Sequence, residues 1–171
     1  AQAQRDLCRG QGAELAWSKS PRPLSSLEVL EIFEKKTSPA FAVALHLGAI
    51  AVGSDAHAKI EKVLQQYSRA LGIAYQIRDD LDDFSPGNPN ASDDLQAARP
   101  GLVLAAGWER ANGSPKAILE SRWRRETTTD LDTIRKALVD SGALDRCSDL
   151  LERYKEESIR SLAELENASL K

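Results

Sequence analysis

Three observations on this 171-residue chain predict an all-α fold. Ala, Leu, Glu, Lys and Arg are frequent, whereas aromatic residues make up only 5% of the sequence, and that balance favours helix over strand. Apolar residues recur at helical spacing, most clearly at Leu144, Leu150, Leu151, Tyr154, Ile159, Leu162 and Leu165. No stretch alternates with the period of two that a half-buried strand needs, and no repeat of solenoid length is present. The length suffices for one domain with its own core, and 42% apolar with 29% charged residues is ordinary for a soluble globular chain.

The elements follow from local signals. Residues 2–19 predict a helix closed by Ser20, Pro21 and Pro23. Leu24–Phe33 predicts a short second helix, capped by Ser25 or Ser26 with Glu28 in its first turn. Lys35–Ser38 reads as a break, after which Pro39 takes the first position of a third helix over residues 39–53. That third helix is apolar almost all round and is expected in the middle of a bundle. Gly53–Asp55 breaks the chain or caps the next helix, a fourth over residues 56–84. In it Leu71, Ile73, Tyr75 and Ile77 are expected to be largely buried. Residues 85–92 are a loop by composition. Leu102–Asn112 and Pro115–Arg124 suit short helices, and Thr129–Ser141 and Ala143–Leu165 two more, divided by Gly142.

Composition also excludes classes of function. The formal net charge is −3 and no basic stripe is interleaved with aromatics, so nucleic-acid binding is not expected. Cys8 and Cys147 lie far apart and form no metal or redox motif, which suits reduced thiols in a cytoplasmic protein. The most apolar run, Ser38 to Gly53, contains His46 and falls short of the ~18 residues of a transmembrane span. The chain has no Met and opens in what reads as mid-helix sequence, so a piece of a longer chain or a processed product is expected.

The stretch Leu71–Asp83 carries the strongest chemical signal: four carboxylates at the end of an otherwise apolar helix. On a helix, Gln76, Asp79, Asp80 and Asp83 share an arc of roughly 100°, with Ile73, Ala74, Ile77 and Leu81 on the other side. Like charges at this spacing repel, and acids near a helix C-terminus oppose the macrodipole. Pro86 and Gly87 follow, so the helix does end here. Acidic clusters are commonly solvated surface. A cluster seated beside a core is less easily explained that way, and a bound cation would turn the electrostatic penalty into an asset. Hard carboxylate oxygens suit Mg²⁺, or alternatively Mn²⁺.

Further residues join this cluster to a family. Gly10, Gln11 and Glu14 come first, then Lys36-Thr37, then Tyr75-Gln76 followed by Asp79, Asp80 and Asp83. This order resembles the C-terminal half of the trans-isoprenyl diphosphate synthases, the farnesyl, geranylgeranyl and polyprenyl diphosphate synthase family. The resemblance runs over essentially the whole chain, with its most specific element at Tyr75–Asp83. It implies a helical bundle of the isoprenoid synthase type, with residues 1–171 as the C-terminal portion of one such domain.

The implied activity is an Mg²⁺-dependent prenyl transfer in isoprenoid biosynthesis. An allylic diphosphate ionises, and isopentenyl diphosphate attacks the resulting cation and then loses a proton. By resemblance Asp79, Asp80 and Asp83 are metal ligands or hold metal-bound water, while Asp82 takes a position usually apolar in the family and faces water. Lys36 binds diphosphate, helped by a site at or near a helix start. Thr37 and Gln76 offer neutral oxygens to the allylic cation, with helix capping as the other role for Thr37. Arg99, five residues after Asp94, replaces the family's usual Lys as a second diphosphate cation. Glu14 stands where the family has Asp, and Gln11 and Glu14 have either helix support or site contact as their role. His46, His57, Trp17, Trp108 and Trp123 read as core, surface or packing residues, and the basic run Arg122–Arg125 as a solvated face or an anion dock.

One departure bears on function. The family carries a first Asp-Asp-x-x-Asp motif in its N-terminal half, and none occurs before residue 79 here. These residues alone are therefore expected to be inactive or nearly so. Three readings remain open: the C-terminal segment of a complete prenyltransferase; a regulatory subunit joining a synthase chain; or a helical domain that kept the motif without the chemistry. A homodimer, or a chain supplying the missing half, is the implied partner.

Overall fold

The structure, a computed structural model, describes residues 2–84, 99–126 and 129–165, without the side chains of residues 54–57 and 59. The predicted loop at 85–92, Asp94 and the side chain of His57 lie outside the described residues. Among the described residues seven α-helices follow in order: α1 Gln2–Lys19, α2 Ser26–Val52, α3 Ser54–Asp82, α4 Leu102–Arg110, α5 Gly113–Trp123, α6 Leu131–Asp140 and α7 Ala143–Ser161. A short 3₁₀ turn, Leu162–Glu164, follows α7. The described residues hold no strand, as expected, and no helix among them is long and apolar enough to cross a membrane.

Two of the predicted helices are one. The break expected at Lys35–Ser38 does not form, and α2 runs through it with Pro39 inside. An interior proline costs about 3 kcal/mol of helix stability, because its ring nitrogen cannot donate to the carbonyl four residues back. Tertiary packing overrides that cost. Gly10 of α1 lies so close that a Cβ there would sit 2.7 Å from the backbone of Lys35 and Lys36. On another side, a Cβ at Gly72 of α3 would sit 2.7 Å from Ser38 Cα, and the Ser38 hydroxyl donates to the Arg69 carbonyl at 3.2 Å. Two flanking helices thus clamp the predicted break into helical form. It follows that Lys36 is not at a helix start and Thr37 is not a cap.

The cap of α2 is Ser25, with a complete capping box: its side chain accepts from the Glu28 N–H, and the Glu28 carboxylate accepts from the Ser25 N–H at 2.8 Å. Glu109 at the end of α4 accepts from both the N–H and the hydroxyl of Ser26, at 2.7 and 2.6 Å, and so joins two helix ends. Between α2 and α3 the chain reverses at Gly53, whose φ of 144° is open essentially to glycine alone.

The core forms around α4. Six consecutive residues, Leu102–Gly107, are buried, and this helix touches α2, α3, α5, α6 and α7. Trp17 and Trp123 meet edge to face at 5.6 Å beside it, so both are packing residues, as expected. The expectation for the apolar stretch 39–53 fails. None of residues 39–52 is buried, and Leu47, Ile50 and Val52 are 62%, 53% and 82% exposed, because no described element covers that flank of α2. Tyr75 also departs from expectation. Ile73 and Ile77 are buried, but Tyr75 points outward, held edge-on to Phe41 at 6.1 Å with the Arg78 guanidinium 5.6 Å over its ring.

Candidate active site

Five of the helices meet at a cavity of about 90 Å³ that opens to solvent. The last turns of α3 supply Gln76, Asp79 and Asp80 to it, and Asp83 follows at the C-cap. Lys36 comes from α2, Glu14 from α1, Arg99 from the segment before α4, and Arg122 from the end of α5. The chain therefore gathers residues that are distant in sequence into one pocket. Of the residues singled out in the sequence, Lys36, Gln76, Asp79, Asp80, Asp83 and Arg99 all line it, and Thr37 does not. Asp82 stays outside, exposed and 3.7 Å from Arg78 Nε, as expected.

The two charged classes sit within reach of each other. Lys36 Nζ lies 2.8 Å from Glu14 Oε2, an ion pair rather than a well-directed hydrogen bond. Glu14 thus faces the site as well as tying α1 to α2. The close approach at Gly10 explains why the pair can form: it lets α1 lie directly against the Lys36 turn.

Asp80 differs from its neighbours. Its Oδ2 accepts from the Val103 N–H at 2.8 Å. α4 has no capping side chain of its own at Gly101, so this carboxylate from α3 caps the central helix and complements its dipole. Gly101 permits the approach, since a Cβ there would lie 2.6 Å from Asp80 Oδ1. The Asp80 charge reaches α7 too: burial first, and then that charge, push the Cys147 thiol up to about 12. Cys147 is accordingly an inert core thiol.

Asp79 and Asp83 stand one helical turn apart on the same wall. Among the described residues, no three His, Cys, Asp or Glu side chains converge closely enough to hold a metal ion by themselves. That donor set still fits Mg²⁺, which typically takes one or two carboxylates and completes its shell with water and substrate phosphate oxygens. Phe33, Phe84 and Leu104 supply apolar wall. Sequence reasoning did not single these out, nor Gly101. The all-round apolar run Leu102–Gly107 was the available signal that the pocket floor rests on a central helix.

Residues 1–140 match the family model described as polyprenyl synthetase. An all-trans-nonaprenyl-diphosphate synthase (geranyl-diphosphate specific) of Rhodobacter capsulatus is 27% identical over 165 residues, spanning 94% of this chain and 49% of that protein. An octaprenyl diphosphate synthase of Haemophilus influenzae is 29% identical over 175 residues, spanning 97% of this chain and 50% of its own length. Among solved structures, a polyprenyl synthase from Caulobacter crescentus, complexed with calcium and isoprenyl diphosphate, superposes with a TM-score of 0.81 at 30% identity. The match covers 95% of this chain and 51% of that one. The chain spans about half the length of these relatives. With the family match over most of its residues and the shared all-α fold, the chain belongs to the polyprenyl synthetase family.

Proposed function

We propose that this chain is the C-terminal portion of one isoprenyl diphosphate synthase domain. Its activity is transfer of an allylic prenyl group to isopentenyl diphosphate with release of diphosphate, in the cytoplasm. The observation that carries this reading is the cavity itself, which unites Asp79, Asp83, Gln76, Lys36 and Arg99 from three separate stretches of sequence. The uncovered apolar flank of α2 supports the partial-domain reading, since a monomeric protein rarely leaves such a contiguous patch to water.

In this reading Asp79 and Asp83 would hold Mg²⁺, with Asp80 turning one oxygen to the site while the other caps α4. Mg²⁺ when bound would supply charge stabilisation to the departing diphosphate. Lys36 and Arg99 bind diphosphate oxygens, Lys36 as a point charge steadied by Glu14 and Arg99 through its planar fork. As the allylic C–O bond breaks, the electron pair leaves with diphosphate. The Gln76 amide oxygen faces the allylic cation, and Thr37 adds a second neutral oxygen once the rest of the domain completes the wall. The double bond of isopentenyl diphosphate then attacks the cation, and a proton is lost to complete the new alkene. Apolar walls such as Phe33 and Phe84 keep water from the cation.

A second reading has its own support. No Asp-Asp-x-x-Asp motif occurs among residues 1–78, and the aspartates that line the cavity, Asp79, Asp80 and Asp83, all come from the end of α3 and its C-cap. A non-catalytic or regulatory subunit of a synthase would have that arrangement. Incubating the full natural chain with an allylic diphosphate, labelled isopentenyl diphosphate and Mg²⁺ separates the two. A longer prenyl diphosphate is the expected product. Product that forms only when a second synthase chain is added would favour the subunit, and no product under either condition would sink both.

A further inference from the structure

Arg122 is placed where a fold would not leave an arginine without cause. It sits in the last turn of α5 and lines the same cavity as Asp79 and Lys36. Its Nε and one of its terminal nitrogens are buried and have no hydrogen-bond partner among the described residues. The backbone of this turn is anchored, because the next residue, Trp123, is fully buried and meets Trp17 edge-on, and Leu119 one turn back is fully buried too. Arg122 as a whole is half-buried, but burying two guanidinium nitrogens without partners is costly. The C-terminal end of α5 offers it a partial negative charge, not a counterion.

The residues just beyond add to the cost. Arg125 adopts a left-handed conformation, φ 58°, at a position after a helix where glycine is the usual occupant. The Glu126 N–H closes back on the Ser121 carbonyl at 3.0 Å, and the Arg125 guanidinium lies 5.2 Å over the Trp17 ring. Burial, and then the nearby charge of Arg125, push the Arg122 guanidinium below the ordinary arginine pKa. Strain and like-charge repulsion together at one helix end are features that folding alone selects against.

We propose that Arg122 is a third cationic contact for a diphosphate in this cavity, additional to Lys36 and Arg99. The inference rests on the reading of the cavity as a diphosphate site. An anion seated against the guanidinium would supply the countercharge that the protein withholds. A planar fork also suits a group presenting several oxygens better than a solvated chloride would.

The test is titration of the full natural chain with inorganic pyrophosphate in Mg²⁺, and separately with isopentenyl diphosphate, for the wild type, Arg122→Met and Arg122→Gln. Calorimetry reads affinity, and the thermal midpoint is followed without ligand. Removing the charge should weaken pyrophosphate binding about tenfold or more and flatten its dependence on salt, while the ligand-free midpoint rises. A loss for both ligands would place the contact on the shared diphosphate. A folded Arg122→Met whose pyrophosphate affinity stays within about twofold of wild type would overturn the inference, whatever its midpoint. Should that variant fail to fold, Arg122→Gln decides by the same criterion. Wild type that binds no pyrophosphate would overturn the diphosphate reading and this inference together. Wild type that binds, and loses binding on Asp79→Ala but not on Arg122→Met, would overturn this inference alone.

Discussion

The two ends of α2 have opposite fates. From Ser26 to Ser38 the helix carries charged residues, yet Val29, Ile32 and Phe33 are buried and the start is locked by a capping box. From Pro39 to Val52 it carries no acidic or basic residue except His46, and nothing in it is buried. The more apolar half is therefore the less buried half. Burial depends on what lies opposite a helix, and opposite this half the described residues place nothing on one flank. The chain spans about half the length of its relatives, and in the partial-domain reading proposed above the uncovered flank is where the rest of the domain packs.

The largest effect would come from breaking that contrast. Replacing Leu47 and Ile50 together by Asp in the full natural chain should cost more than about 3 kcal/mol, because two charges would be forced under a cover without partners. Urea unfolding measures this. A change within about 0.5 kcal/mol would mean that the flank faces water in the native protein.

A middle-sized effect belongs to the clamped half. Gly72→Ala should cost about 1–3 kcal/mol, because the new methyl meets the backbone of Ser38 as well as its hydroxyl, and the backbone cannot turn away. The denaturation midpoint should fall, and a far-ultraviolet dichroism spectrum with less helix would show whether Pro39 then breaks α2. An unchanged midpoint would mean that the clamp contributes nothing to carrying the helix through proline.

The smallest effect is at the cap. The side-chain hydrogen bond from Arg22, followed by the Ser25 backbone bond, holds Glu28 down to about 2 in place of 4.5. A depressed carboxylate stabilises the fold above its unfolded pKa and loses that contribution as pH falls through the folded value. Stability should therefore decline between about pH 4.5 and 2, by no more than a few tenths of a kcal/mol, since the pair is half-exposed and screened. Comparing urea midpoints of the wild type and Glu28→Gln across this range checks it. A difference that does not shrink as pH falls would point to packing rather than charge.

Much of this was legible in the sequence because it is local. Ser25 or Ser26 with Glu28 in the first turn announces a helix cap from local sequence, the structure choosing Ser25, and the helical rhythm of the C-terminal residues predicts α7 closely. The acidic face of α3 was also readable, since four residues on one helix face need no tertiary knowledge. What the sequence concealed is tertiary. Lys35–Ser38 and Pro39 form a valid local stop signal, overridden only because Gly10 and Gly72 bring two other helices against it. Tyr75 sits among buried neighbours in sequence, but its register turns it outward. Asp80 and Asp79 are adjacent and alike on paper. Only the approach of Gly101 makes one of them the cap of α4. Arg122 belonged to a basic run that reads as solvated surface, and Trp123 is what turns it inward.

The adjacent pair Asp79 and Asp80 gives the most direct measurement of what this cavity does: calorimetric titration of Mg²⁺ with inorganic pyrophosphate into wild type, Asp79→Ala and Asp80→Ala, with a thermal midpoint for each. A metal-diphosphate site on the α3 wall predicts that Asp79→Ala loses affinity by about tenfold or more while its midpoint holds. It predicts for Asp80→Ala a stability loss of about 1–2 kcal/mol as α4 loses its cap. Unchanged pyrophosphate affinity in Asp79→Ala would contradict the site.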